Sequence, residues 1–487
     1  MIIWGISANS HDAALAVFKD SKLIFASHSE RFSRVKNDAH LCAKLIDHAV
    51  SLAGIPDLVC WYETPILKSL RQLFAGQGLK FRENNIKRYL EQHGITADIV
   101  YIDHHLSHAA AAYYTAPWSD CAVLCVDSIG EFTTTSVWHD KSHALEPVSR
   151  RRYPNSLGLF YSAMTQRVGL KPQEDEYILM GMAAYGDPDR LYDRMMSSFF
   201  DYRGLKVNLH RGAMGWAEDL NSVQDNFDIA AAAQRIYQEQ FEYLLIETKN
   251  MTGKSKIALA GGCVLNCVAN VLAWKHFSDV WIFPNPGDAG SSVGAVLAHT
   301  KQRIKIEDCY LGYDIKGDYP VKDLLEDLLQ GIPVGVANGP AEFGPRALGN
   351  RSLLADPRSN TVKDRVNEIK RRQQFRPFAP AVLEEFANQY FDLPSSSPFM
   401  QYTVPCKCPD YLPGVVHVDG TSRIQTVPPG NTGFRLLLEA WYESTGCPVL
   451  LNTSLNIKGY PMANDHHDAE MFQIHYSVPV HVRQKQT

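Results

Sequence analysis

Apolar and polar positions alternate in short blocks from the first residue. IIWGISA (2–8), AALAVF (13–18) and LIFASHS (23–29) are apolar runs separated by NSHD and by KDSK (19–22). They predict three strands, with KDSK as a tight hairpin connection. Residues 38–53 and 84–94 predict helices, 99–102 a short strand, and the alanine-rich stretch from Ala109 a further helix. Ala122–Val126 predicts a buried strand that delivers Asp127, and SIGEFTTTSVW then predicts a loop and a returning strand. The span 154–250 is mostly helical in pattern, and across 227–250 apolar positions recur every three or four residues. IALAGG (257–262) predicts a strand ending in glycines, and VWIFPNPGDAGSSVGAVLA (280–298) a strand, a glycine-rich loop and a helix. Two halves of this region therefore share one plan, and strands mixed with helices indicate an α/β class.

The pattern lapses around 300–320, where a domain boundary is expected between 1–312 and 321–487. The second segment opens with a helix, continues with PVGVAN (333–338) as a strand, and passes into an arginine-rich middle. CPVLL (447–451) predicts a buried strand.

Composition narrows this only a little. With 487 residues, 45% hydrophobic and 21% charged, the chain is long enough for two globular domains. A net charge of −5 does not mark a global nucleic-acid binder. No run is long enough to span a bilayer, and MIIWGISANSHD lacks a basic n-region and a cleavage site. Ten cysteines without paired CxxC sets predict buried thiols in a reducing cytoplasm. A cytoplasmic protein with no membrane partner is expected, and a homodimer is compatible with the sequence.

Candidate chemistry begins at HHLSHAAAAYY (104–114). His104 and His108 stand four apart and share one face of a helix. With carboxylates from Asp127 and Asp288, both in loops at strand ends, they form a donor set for iron, zinc or manganese. Buried core histidines are the competing explanation. His11, in the loop after the first strand, offers a general base at neutral pH or a turn residue. PNPGDAGSSVGA and LAGGCVLN place glycines, among them Gly261 and Gly262 with Asn266 nearby, where backbone N–H groups can approach a ligand or where strand and helix pack. In 339–380, Arg346, Arg351, Lys370 and Arg376 lie among glycine, proline and phenylalanine, with Arg423 further on. Planar guanidinium forks suit phosphate and carboxylate oxygens, so a polyanion pocket is expected. NTSLN adds the short polar side chains of Asn452 and Ser454.

SHDAALAV, HHLSHAA, VDSIGE, MGMAAYG, LAGGCVLN, PNPGDAGSSVGA, EFGPRALGNRS, FRPFAP and NTSLN, in that order, resemble the O-carbamoyltransferase family of nodulation and antibiotic-tailoring enzymes, the tobramycin and cephamycin type. The resemblance implies an actin-like ATPase domain, similar to the tRNA threonylcarbamoyl transferase subunit, followed by a carbamoyl-adenylate-forming (YrdC-like) α/β domain. It implies that ATP and carbamoyl phosphate give carbamoyl adenylate and pyrophosphate, and that the carbamoyl group then passes to an alcohol. It also implies Fe(2+), or another divalent transition metal, at His104, His108, Asp127 and Asp288, with Mg(2+) admitted beside the nucleotide. His11 becomes the base for the acceptor hydroxyl, and Arg346, Lys370, Arg376 and Arg423 the carbamoyl phosphate and ATP clamp. Ile178, Leu455 and Tyr460 depart from the family's frequent lysine, phenylalanine and glutamate.

Three other readings compete: a threonylcarbamoyl-type tRNA modifier, a sugar-kinase-like ATPase and a non-catalytic interaction module. The acceptor is either a small-molecule alcohol or a hydroxymethylated pyrimidine in nucleotide or DNA. Cations in 68–88 and 150–152 would track phosphates in the second case, or merely solvate a helix face.

Overall fold

A computed structural model describes residues 1–78, 80–141, 144–201, 204–205 and 213–482. The chain divides into two compact units, Met1–Ser33 with Asn37–Glu307, and Arg34–Lys36 with the residues from Asp308 onward.

The first unit repeats one topology. Strands Ile2–Ser7, Ala14–Lys19 and Lys22–His28 form an antiparallel meander, and Leu58–Trp61 and Asp98–Tyr101 add in parallel on the far side of Ile2–Ser7. Strands Ala122–Gly130, Thr133–Lys141 and Ala144–Arg152 form a second meander, and Lys256–Ala260 and Asp279–Ile282 add in parallel beside Ala122–Gly130. Each sheet thus has its first strand central. This duplicated order is the actin-like ATPase arrangement, and the shared plan of the two halves is its sequence trace. Near-continuous burial of IIWGIS and AVLCVD follows from helices or loops lying over both sheet faces.

Two helices bring the halves' chemistry together. His104–Thr115 starts five residues earlier than the alanine run suggests, because the Asp103 carboxylate caps it by accepting from Leu106 N at 2.8 Å. Ser291–Thr300 packs directly on it at Gly294, where a Cβ would lie 1.8 Å from the Ser107 carbonyl oxygen. Gly294→Ala must push these helices apart. A loss of roughly 3 kcal/mol is expected, the upper part of the range for overpacking. Urea unfolding of the full chain checks it; an unchanged midpoint would contradict the close approach.

The long periodic stretch is the helix Val223–Thr252, closed at its start by a reciprocal Ser222–Asp225 capping box. Among the described residues, no helix is long and apolar enough to cross a membrane.

The second unit is built on a seven-stranded mixed sheet with Ala379–Leu383 and Val449–Ser454 near its centre. Helices Val321–Leu329 and Gly433–Thr445 cover one end of one face, burying Leu324, Leu328, Leu437 and Trp441 against Leu354, Leu383, Val427 and Leu450. Two residues further along the same face the side chains turn polar. Gln425 lies opposite Ala381, and Asn452 opposite Ala379. The small alanines let Asn452 Nδ2 reach Gln425 Oε1 at 2.7 Å across the intervening strand. Strand Tyr310–Ile315 pairs with Gly339–Glu342, so it lies in the second unit and not in the first as a boundary at 312 expects.

Candidate active site

His104 and His108 sit one turn apart on their helix, with Nε2 atoms 3.1 Å from each other. Asp127 lies within the Ala122–Gly130 strand, just past Val126 where its regular pairing with the next strand breaks, and Asp288 opens the 3-10 turn Asp288–Gly290 before Ser291–Thr300, so neither stands in a plain loop at a strand end. His104 Nε2 lies 3.5 Å from an oxygen of each carboxylate, and His108 Nε2 lies 3.3 Å from Asp288. One donor atom from each of the four residues falls within 4.8 Å of the others.

The surroundings aim these groups. Asp127 Oδ1 accepts from Gly262 N at 3.1 Å, and His108 Nδ1 meets Ser291 Oγ at 3.2 Å. Gly261 has φ +92°, a conformation side chains disfavour, and its backbone folds against Val126. Burial opposes a charge on His104, yet the Asp288 and Asp127 carboxylates outweigh it and hold its pKa well above the usual histidine value. Burial likewise opposes ionised Asp288, and His104 and His108 overcome it, holding the carboxyl well below its usual range. Two imidazoles and two carboxylates converging in a buried space are the donor types a divalent transition metal takes, and a cation there would compensate both carboxylates. The residues present fit such an ion.

The third histidine of the motif has another task. His105 Nδ1 contacts Ser136 Oγ at 2.8 Å and Nε2 the Thr133 carbonyl at 3.1 Å. Burial first, then neighbouring His104, push it down to about 3, so it stays neutral.

His11 projects from the loop between the first two strands. Its Nδ1 is 3.2 Å from Asp12 Oδ2, and Asp12 adopts φ 51° to turn back onto it. His11 Nε2 is buried without a hydrogen-bond partner. Burial works against protonation, but Asp12, then Asp288 and Glu174, raise its pKa to about 9. In the neutral ring, with Nδ1–H on Asp12, Nε2 carries the lone pair, the arrangement of an oriented base; the raised pKa means that this form predominates above about pH 9 and not at neutral pH, where the sequence reading placed it.

In the second unit, Lys370 Nζ donates to the Ser454 carbonyl, to Ser454 Oγ at 3.3 Å and to Asn456 Oδ1 at 2.8 Å. Burial, then Arg372 and Arg376, depress its pKa well below the lysine value. Asn456, the last residue of the NTSLN motif, lies two residues past the strand end at Ser454 and joins Asn452 and Ser454 as a polar group of this site. Arg423 Nε is buried without a partner. Asn452 bonds the Ala347 carbonyl next to half-buried Arg346, while its Oδ1 has no partner. Lysine, arginine and amide groups therefore share the polar end of the sheet face.

Two expected ligand contacts have other employment. Arg351 is fully buried, and its guanidinium donates to the carbonyls of Asn464, Asn338, Gly339, Asn350 and Tyr313. It is a structural staple rather than part of the anion clamp, because the side chain has no exposure and the unit's own backbone carbonyls hold its guanidinium. Asn266 exchanges hydrogen bonds with Gln234 and caps Ala269, which occupies its side-chain amide. Of the departures, Ile178 and Leu455 are buried and Tyr460 is exposed.

A duplicated actin-like sheet pair with a buried donor cluster, and a second α/β unit with cations gathered on one sheet face, make this a two-unit α/β protein. Residues 85–297 match the family pattern described as Carbamoyltransferase N-terminus, and 325–482 that described as Carbamoyltransferase C-terminus. The chain belongs to the carbamoyltransferase family and is a transferase. It is 34% identical to the Uncharacterized protein sll1178 of Synechocystis, over 96% of this chain and 93% of that one. It is 32% identical to the Nodulation protein NolNO of Sinorhizobium fredii, over 94% and 76% respectively. With the 3'-hydroxymethylcephem-O-carbamoyltransferase of Amycolatopsis lactamdurans it shares 29% identity over 95% of this chain and 94% of that protein.

Proposed function

We propose that this carbamoyltransferase is ATP-dependent, forming carbamoyl adenylate in the second unit and passing the carbamoyl group to an acceptor hydroxyl in the first. The observation that carries this reading is the oriented, partner-free His11 Nε2 in the same unit as the His104, His108, Asp127 and Asp288 cluster. Atom balance in the first half-reaction requires carbamoyl phosphate, ATP and one water to give carbamoyl adenylate, orthophosphate and pyrophosphate. Lys370, Arg376 and Arg423 supply cationic donors for the phosphate oxygens. In the second half-reaction the acceptor O–H gives its proton to His11 Nε2. Its oxygen bonds the carbamoyl carbon, and AMP leaves. His104, His108, Asp127 and Asp288 would hold Fe(2+) or a similar divalent ion, which supplies a Lewis acid for the transferred group.

Pyrophosphate release that needs both ATP and carbamoyl phosphate tests the reading. Release with ATP alone, or none with both, would overturn it.

The acceptor we infer is a small molecule. Of the cations in 68–88 and 150–152, Lys68 is held by Glu63, Lys80 by Glu83, Arg150 by Asp103 and Arg151 by Glu247. These pairs leave a broken field where a phosphate-tracking face would need a continuous one.

A pH dependence follows from His11. Only the neutral imidazole accepts a proton, so transfer from supplied carbamoyl adenylate should rise with pH and level off above about 9. Asp12→Asn removes the main raising influence, so the limb should move to lower pH while the plateau falls. Folding stability runs the other way: the raised pKa stabilises the fold below the unfolded value of 6.5, and this is lost as pH rises through about 9. A rate falling between pH 7 and 9 would contradict the assigned base.

A further inference from the structure

The helix Pro65–Phe74 holds an arginine that the chemistry above does not use. Arg71 is half-buried, its Nε is buried without a partner, and its Nη1 reaches only Gln77 Oε1 at 3.2 Å. Among the described residues it forms no ion pair with a carboxylate. Glu63, the acid within electrostatic reach, is already held by the buried Lys68 ammonium. Tyr62 and Tyr153 are also within its reach, and the Tyr62 ring lies 5.2 Å from that of His104. Arg71 thus has no carboxylate of its own, and it stands one turn after Lys68, whose Nζ ties this helix to the His11 loop by donating to the Asn9 carbonyl at 2.8 Å.

One turn further on stands Phe74, whose ring is 70% exposed. It meets Phe132 at 6.4 Å and Tyr153 at 6.3 Å, both near edge-on. The start of the helix is tied to the same region, because Thr64 N donates to Glu131 Oε1 at 2.6 Å, next to Phe132. An unmatched guanidinium beside a partly open aromatic cluster combines anion binding with ring stacking.

We propose that Arg71, with the Phe74, Phe132 and Tyr153 rings, forms the acceptor subsite, and that it selects a primary alcohol carried on a flat ring bearing an anionic group. The inference rests on the reading that transfer takes place at His11. A nucleotide phosphate and a ring carboxylate share this chemistry. The aromatic cluster holds the ring, Arg71 holds the anion, and the hydroxymethyl group is left to point towards the base.

The test measures binding of four probes to the full chain by calorimetry. Two are anionic, 5-hydroxymethyl-2'-deoxycytidine 5'-monophosphate and 4-(hydroxymethyl)benzoate. Two are their neutral counterparts, the nucleoside and 4-methylbenzyl alcohol. Wild type should bind at least one anionic probe about tenfold more tightly than its counterpart, the size of a charged hydrogen bond. Arg71→Gln should bring that ratio to about one without weakening the neutral probe, and Arg71→Lys should restore part of it. Misfolding would weaken both probes together. Preference for the phosphate identifies a nucleotide-type acceptor, and preference for the carboxylate a ring acid. A wild-type ratio near one, or a ratio that survives in Arg71→Gln, overturns the subsite. Pyrophosphate release by the same wild-type protein reports separately on the carbamoyl adenylate reading, so the two failures are distinguishable.

Discussion

Asp288→Ala is expected to leave the protein folded but unable to hold a transition metal, and to lower carbamoyl transfer by about a thousandfold. Asp288 contacts both imidazoles of the cluster, at 3.5 Å from His104 and 3.3 Å from His108. It is also the strongest influence raising the His104 pKa. Removing it deletes one of four donors and one of two negative charges, and a metal electrophile contributes several kcal/mol, with about 1.36 kcal/mol per tenfold in rate. Elemental analysis should show wild type with one transition metal ion per chain and the variant with almost none. A thermal readout independent of activity accompanies it. Added Fe(2+) should raise the unfolding temperature of metal-stripped wild type, since binding at a hundredfold excess over Kd adds about 2.7 kcal/mol. It should not raise that of the variant. Full metal occupancy in Asp288→Ala would remove the cluster from the proposed function.

Lys370→Met should abolish most carbamoyl-phosphate-dependent pyrophosphate release, by about a hundredfold, while thermal stability stays level or rises. The ammonium is fully enclosed, with Arg372 and Arg376 close enough to repel it, and its pKa is depressed accordingly. A buried cation that the folded state disfavours is weak support for stability, and methionine fills similar space. What the lysine offers is attraction for an anion that would also relieve its repulsion from the two arginines. Transfer from supplied carbamoyl adenylate should persist, because that half-reaction belongs to His11. Unchanged pyrophosphate release would remove Lys370 from the clamp; loss of both half-reactions in a folded variant would contradict the division between units.

The positions of these two residues differed in how far they could be read from sequence. Hairpins such as 19–22 and the helix over 227–250 rest on local periodicity and turn chemistry, which neighbours in sequence determine. The four-residue spacing of His104 and His108 likewise fixes a shared helix face, whatever the helix packs against. The motif order was enough to place the chain in its family.

Local pattern could not sort residues of the same type by task. His104 and His105 are adjacent in sequence, yet only packing sends one ring to the carboxylates and the other to Ser136 and Thr133. Arg351 and Lys370 are both cations in arginine-rich stretches, and Arg351 is consumed by five backbone carbonyls while Lys370 meets the Ser454 and Asn456 oxygens at the polar end of a sheet face. Arg71 read as one charge among many until its half-buried side chain, with Nε unpartnered and the nearby Glu63 already held by Lys68, set it apart. Residue types, periodicity and family were thus determined by the sequence by itself. Which polar groups are saturated and which remain open was decided only by the tertiary structure, because hydrogen-bond partners and burial come from segments tens to hundreds of residues away.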